Sequence, residues 1–138
     1  MINYRLKGEN QMYQSEFCEV EYLKEANSVF LKWKKFCMGE DYRKPARFAL
    51  QSLSENENCN FIIDARSGFE DDKEDVKWVF DEFIPKMSQT GCKKVVFITS
   101  LVNDIEGEID MFTKAFMKYF EVKNVNSLDE AIAEVNRI

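Results

Sequence analysis

Asp64, Arg66 and Ser67 follow directly on the apolar run Phe61-Ile62-Ile63, so a carboxylate, a guanidinium and a hydroxyl leave one buried segment together, with Gly68 after them. At the carboxyl end of a sheet strand such groups can hold a polar or anionic ligand, or the charged pair can pin the turn by hydrogen bonds, and pinning is the reading we favour. The neighbouring acidic run Glu70-Asp71-Asp72-Lys73-Glu74-Asp75 offers oxygen ligands but has no turn glycine inside it, as a Ca2+ loop requires. Its carboxylates suit the first turn of a helix, where one supplies an N-cap and the others complement the positive end. Asp104, Glu106, Glu108 and Asp110 alternate around Gly107 and miss that loop register too, which leaves a solvated loop or helix start.

Histidine is absent, which removes the commonest general base and every Ser-His or Cys-His nucleophile pair. Cysteines stand at positions 18, 37, 59 and 92 without a C-x-x-C pair and without histidines to complete a zinc set. The expectation is therefore a non-enzymatic chain with no metal and no cofactor. Four dispersed thiols and an N-terminus lacking the apolar core of a secretory signal point to a reducing, cytoplasmic setting. No apolar run approaches the roughly 18 residues that a membrane span needs, so no membrane insertion is expected.

The 138 residues carry a formal net charge of −6, which argues against a nucleic-acid partner. The largest basic cluster, Arg43, Lys44 and Arg47, reads as the solvated side of one helix. At this length, with 45% hydrophobic and 14% aromatic residues, one domain can bury a full core without staples.

The elements that must position these groups follow from periodicity. Ile2, Tyr4 and Leu6 alternate as an edge strand within an N-terminal segment, residues 1–14, and the domain proper is expected over 15–138. Phe17 to Leu23 and Ser28 to Phe36 alternate apolar and polar, an antiparallel hairpin with one wetter face. Tyr42, Ala46, Ala49, Leu50 and Leu53 mark a helix, expected to settle from about Lys44 because Pro45 suits only a first turn.

Phe61 to Asp64 and Val95 to Thr99 are apolar at consecutive positions, as parallel strands covered on both faces are. Between them Val76, Val79, Phe80, Phe83, Ile84 and Met87 form one helical stripe over Asp71 to Thr90, with a bend predicted at Pro85 and a stop at Gly91. Ile105, Ile109, Phe112, Phe116 and Phe120 form another stripe. A short strand over Val122 to Val125 and a capping box, Ser127-Leu128-Asp129-Glu130, then lead into a last helix. The class is α/β: a mixed sheet with an N-terminal antiparallel hairpin, then βα repeats, with about four helices in right-handed crossovers.

Gly39-Glu40-Asp41-Tyr42-Arg43 with Pro45, Phe61 to Arg66 with its closing Asp-x-Arg, Trp78 followed by Phe83-Ile84-Pro85, Gly91 before Lys93 to Thr99, and the final Ser-Leu-Asp-Glu-Ala are similar to an uncharacterised bacterial branch of the STAS-like proteins. The likeness spans about Phe17 to Ile138, and the order of elements is shared with STAS domains, the fold of anti-sigma factor antagonists. That resemblance implies a regulatory, protein-binding module, with Ser67-Gly68 nearest the position where signalling members are phosphorylated. Here the spacing differs, an arginine intervenes, and Glu70, Asp71 and Asp72 repel an added phosphate.

By helical angle Trp78 falls opposite the apolar stripe, on a ridge with Asp81, Glu82 and Pro85. Either a neighbouring element covers it or this ridge is a partner or dimer surface. Trp33, Tyr22, Phe36, Met111 and Met117 are candidates for an apolar groove, core filling being the default for most of them. The first expectation is thus an interaction module acting on a protein partner or its own copy. The second is a small-molecule or lipid binding domain that takes an apolar or anionic ligand at the carboxyl edge of the sheet.

Overall fold

The structure is a computed structural model that describes residues 3–4, 12–67, 72–100 and 108–137. Among the described residues seven strands form one mixed sheet in strict chain order: β1 (Asn3–Tyr4), β2 (Met12–Gln14), β3 (Cys18–Leu23), β4 (Ser28–Trp33), β5 (Asn60–Asp64), β6 (Lys94–Ile98) and β7 (Glu121–Val125). Pairs from β1 to β4 are antiparallel and those from β4 to β7 parallel, so β4 is where the hairpin half hands over to the βα half.

α1 (Glu40–Glu55) links β4 to β5. A helical run of α2 (Lys73–Trp78), a π-helical turn (Val79–Phe83) and α3 (Ile84–Met87) links β5 to β6. α4 (Glu108–Phe116) precedes β7, and α5 (Leu128–Val135) follows it. Because the parallel strands advance one place at a time, crossovers of one hand lay α1, the α2–α3 run and α4 on the same face. α5 packs on the opposite face. The core divides accordingly. Val29, Leu31, Phe61, Ile63, Val95 and Phe97 meet Ala49, Leu53, Phe83, Met87, Phe112 and Phe116 on the larger side, while Ile62, Val96 and Ile98 meet Ala131 and Val135 under α5. β5 is buried at every position, which is why its sequence shows no alternation, whereas β3 alternates because one face stays wetter.

The N-terminal segment contributes more than an edge. Tyr4 lies in β1, Ile2 and Leu6 fall outside the described residues, and β2, unforeseen in the sequence, pairs with β3. β2 inserts Tyr13 into the main core, 1% exposed and 5.7 Å from the Phe48 ring. α1 starts at Glu40 rather than near Lys44. Gly39 at φ 65° sets the chain for the first turn, and its carbonyl accepts from the Tyr42 and Arg43 amides, so the helix is under way before Pro45.

Just before Pro85 the helix contains a π-helical turn, closed by Ile84 N–H donating to Val79 O. A residue inserted into the ladder is one of the few ways a helix accommodates a missing donor. The run ends at Met87, and Gly91, three residues beyond Ser88, carries φ 83° as the turn leaves for β6. A Cβ at Gly91 would meet only Asn58 N at 3.9 Å, so the cost of Gly91→Ala is the strain of a side chain at positive φ rather than a clash. We expect it to cost about 1 kcal/mol, read as a melting-temperature fall of about 3–4 °C. At α5, Ser127 Oγ accepts from Glu130 N as the capping box requires, but Glu130 Oε1 accepts from Asn126 N, one residue earlier than expected.

Candidate functional site

Asp64 closes β5 almost wholly buried, 2% exposed, and its carboxylate is committed to Arg66. Oδ1 accepts from Arg66 N at 3.1 Å and Nε at 3.0 Å, and Oδ2 accepts from Nη2 at 2.8 Å. The two-pronged grip raises the guanidinium's proton affinity above its ordinary value and folds Arg66 back onto the strand end. Both Asp64 oxygens are thus engaged in turning the chain. Ser67 stands exposed beside this turn, and Gly68 lies outside the described residues, as do Glu70, Asp71, Asp104, Ile105, Glu106 and Gly107. Glu108, Ile109 and Asp110 belong to the first turn of α4.

Directly beneath the carboxyl edge of β4, β5 and β6 lies an apolar cavity of about 50 Å3. Trp33 from β4, Phe61 and Ile63 from β5, Phe97 from β6, Tyr42 from α1, Phe83 from the π-helical turn, and Phe112 and Phe116 from α4 wall it, with Ala65 at the strand end. It exceeds the space of one water molecule but offers such a molecule few polar partners, so the lining favours an apolar occupant. The rings are themselves fixed: Trp33 stacks on Tyr42 at 4.9 Å, and Phe97 meets Phe116 edge-on at 5.6 Å.

A half-buried ion pair lies next in chain to Tyr42, a wall of this cavity. Asp75, 1% exposed, accepts from Arg43 Nε at 2.8 Å through Oδ1 and from Gly39 N at 2.8 Å through Oδ2. Asp72 caps α2 by accepting from Asp75 N at 3.1 Å, as the acidic run led us to expect of one of its carboxylates. The guanidinium of Arg43 also lies over the Trp78 ring at 5.6 Å. One carboxylate thus ties the start of α1 to the start of α2.

The expectation that Arg43, Lys44 and Arg47 form a solvated face holds for Lys44 and Arg47, the latter paired with Glu40, but not for Arg43. Asp75 carried a readable signal, since it sits one turn ahead of Val79 on the buried stripe. The matching of Gly39 and Arg43 to it is non-local and has no sequence signature.

Trp78 is half-buried, edge-on to Tyr42 at 6.4 Å and 5.7 Å from Phe83, so α1 covers it in part. Asp81 pairs with Lys77, Glu82 with Lys86 at 3.6 Å, and Pro85 is half-buried. The five groove candidates part company. Trp33 lines the cavity, and Tyr22 donates its hydroxyl to Asn27 at the opposite end of the sheet. Phe36 is exposed after β4, and Met117 is exposed at the end of α4. Met111 joins a different groove of about 300 Å3, floored by Phe80, Ile84 and Ala115 and walled by Met111, Lys114, Lys118 and Tyr119. They sit on β3, on and just after β4, and on and just after α4, and a single sequence does not reveal how far apart the fold sets these.

Three of the four thiols are poor nucleophiles here. Burial pushes Cys18 up to about 12, Cys59 to about 11 and Cys92 to about 12, so at neutral pH they stay protonated. Among the described residues no three acidic or thiol side chains gather as a metal set, and no helix is long and apolar enough to cross a membrane. Comparison with family models, with curated proteins and with solved structures found no match for the chain.

Proposed function

We propose that this chain is a non-enzymatic interaction or regulatory module of the STAS-like kind, acting in the cytoplasm on a protein partner. The observation that carries this reading is the groove between the α2–α3 run and α4, where Met111 and Tyr119, 37% and 53% exposed, flank an apolar floor. Methionine and tyrosine are residues that binding surfaces favour, and methionine adapts to the shape it meets. Phosphorylation of the exposed Ser67, beside the Asp64–Arg66 turn, is the regulation that fits this reading.

The test is to purify tagged wild-type chain and Tyr119→Asp from the native cell and compare what accompanies them. A stoichiometric partner is expected with the wild type and lost with the variant. Identical profiles from the two would overturn the groove as the binding face. Phosphopeptide mass spectrometry of the same material addresses Ser67, and an unmodified residue through all growth phases would remove that part.

A second reading has its own observation. The aromatic cavity under the carboxyl edge suits a small apolar ligand, or the apolar end of an anionic or lipid one whose polar end stays near Ala65. The cavity variant argued at the close of the Discussion tests whether that space takes up such molecules.

A further inference from the structure

We infer that β7 is the seam of a two-fold dimer, in which its open edge pairs antiparallel with the same edge of a second copy of this chain. β7 ends the strand order, and among the described residues nothing pairs on its outer side. Its backbone donors and acceptors there form a template for another strand.

The side chains decide what kind of strand fits. Val122 packs into the core under α4, while Glu121 reaches Lys94 at 3.8 Å on the α5 side, where Val125 also lies. Period two then puts Lys123 on the α5 side with Glu121. A two-fold axis perpendicular to the sheet keeps each face on its own side, and directly opposed antiparallel residues must share a face. The axis therefore passes through a residue position, not between two.

Centred on Glu121 or on Lys123, the pairing opposes like charges. Centred on Val122, it sets Glu121 across from Lys123 of the second copy, and symmetry repeats that ion pair on the other side of the axis. Edge charges commonly serve to repel other strands, but opposite signs two residues apart are self-complementary in this register rather than repulsive.

α4 supplies an independent observation. Phe112 and Phe116 point to the sheet and Ala115 faces the groove toward Ile84, so helical angle puts Met117 on the opposite flank, above the open edge of β7. Met117 is 59% exposed. The two-fold axis brings α4 of the second copy alongside, which covers it.

The test is the mass of the full chain by sedimentation across a concentration series, with single charge reversals and their mixture. The wild type is expected to approach twice 16.3 kDa as concentration rises. Lys123→Glu and Glu121→Lys alone oppose like charges twice per dimer, and each is expected to weaken self-association about tenfold or more. Mixing the two variants restores both opposite-charge pairs and with them the dimer. A wild type that stays monomeric throughout overturns the inference. So does a dimer indifferent to both reversals, or a mixture that associates no better than its components. Circular dichroism of each variant separates loss of pairing from loss of fold: a reversal that unfolds the chain is replaced by Lys123→Gln and Glu121→Gln, and a dimer that these leave unweakened also overturns it.

Discussion

Asp75→Ala is expected to lower stability by about 3 kcal/mol, seen as a melting-temperature fall of about 10 °C, although Asp75 lies in the most acidic and seemingly solvated stretch of the chain. The substitution removes an acceptor that is 1% exposed and strands two donors, Arg43 Nε and Gly39 N, where water reaches them poorly. Leaving a partly buried charge unpaired costs more than the pair contributes over an apolar replacement. Asp75→Asn keeps one acceptor oxygen and should fall between wild type and alanine.

Asp81→Ala removes an exposed pair with Lys77 in the same helical run and is expected to cost under about 0.5 kcal/mol. Urea unfolding of the three variants orders them. Equal losses for Asp75→Ala and Asp81→Ala would mean that the tie between α1 and α2 adds nothing. The consequence reaches the cavity, because Arg43 lies over Trp78, and Tyr42, one residue before it, is held between Trp33 and Trp78.

What could be read in advance follows from how local each cause is. Phe61-Ile62-Ile63 announces a doubly covered strand because every side chain in it meets a core, and the hairpin of β3 and β4 shows in alternating residues that pair across it, Glu19 with Lys32 for one. Ser127 and Glu130 identify the start of α5 within four residues. β2 escaped because three residues hold too little pattern, and its place is decided by pairing with β3 and by Tyr13 finding Phe48.

The start of α1 escaped for another reason. Proline is a strong local signal for a first turn, but Gly39 and the hydrogen bond its N–H donates to Asp75 begin the helix about four residues earlier than expected. At the candidate site, the Asp64–Arg66 pin was legible because both partners sit two residues apart. The cavity was not, since its walls come from six elements, β4, β5, β6, α1, the π-helical turn and α4.

Phe112→Ala is expected to cost about 3–5 kcal/mol and, unlike most core truncations, to be partly reversed by benzene. Phe112 is 5% exposed and stands between the cavity and Phe80, whose ring it meets edge-on at 5.6 Å. Truncation adds the space of a ring to about 50 Å3 already present, toward the ~150 Å3 at which an apolar engineered cavity takes up benzene. A domain in the middle of the ordinary range, about 10 kcal/mol, stays folded after that loss.

Benzene at about ten times its dissociation constant then returns about 1.4 kcal/mol, a rise of about 5 °C in melting temperature. Ile98→Ala is the control. It empties a fully buried site on the α5 face, away from this cavity, and should lose comparable stability without recovery of the same size. Recovery confined to Phe112→Ala identifies the void beneath the carboxyl edge as ligand-accessible space. A benzene or indole shift in the unaltered chain would carry that to the native protein and favour the small-ligand reading. If Phe112→Ala and Ile98→Ala respond alike, or neither responds, α4 closes down over the gap and the cavity is a packing defect with no binding role.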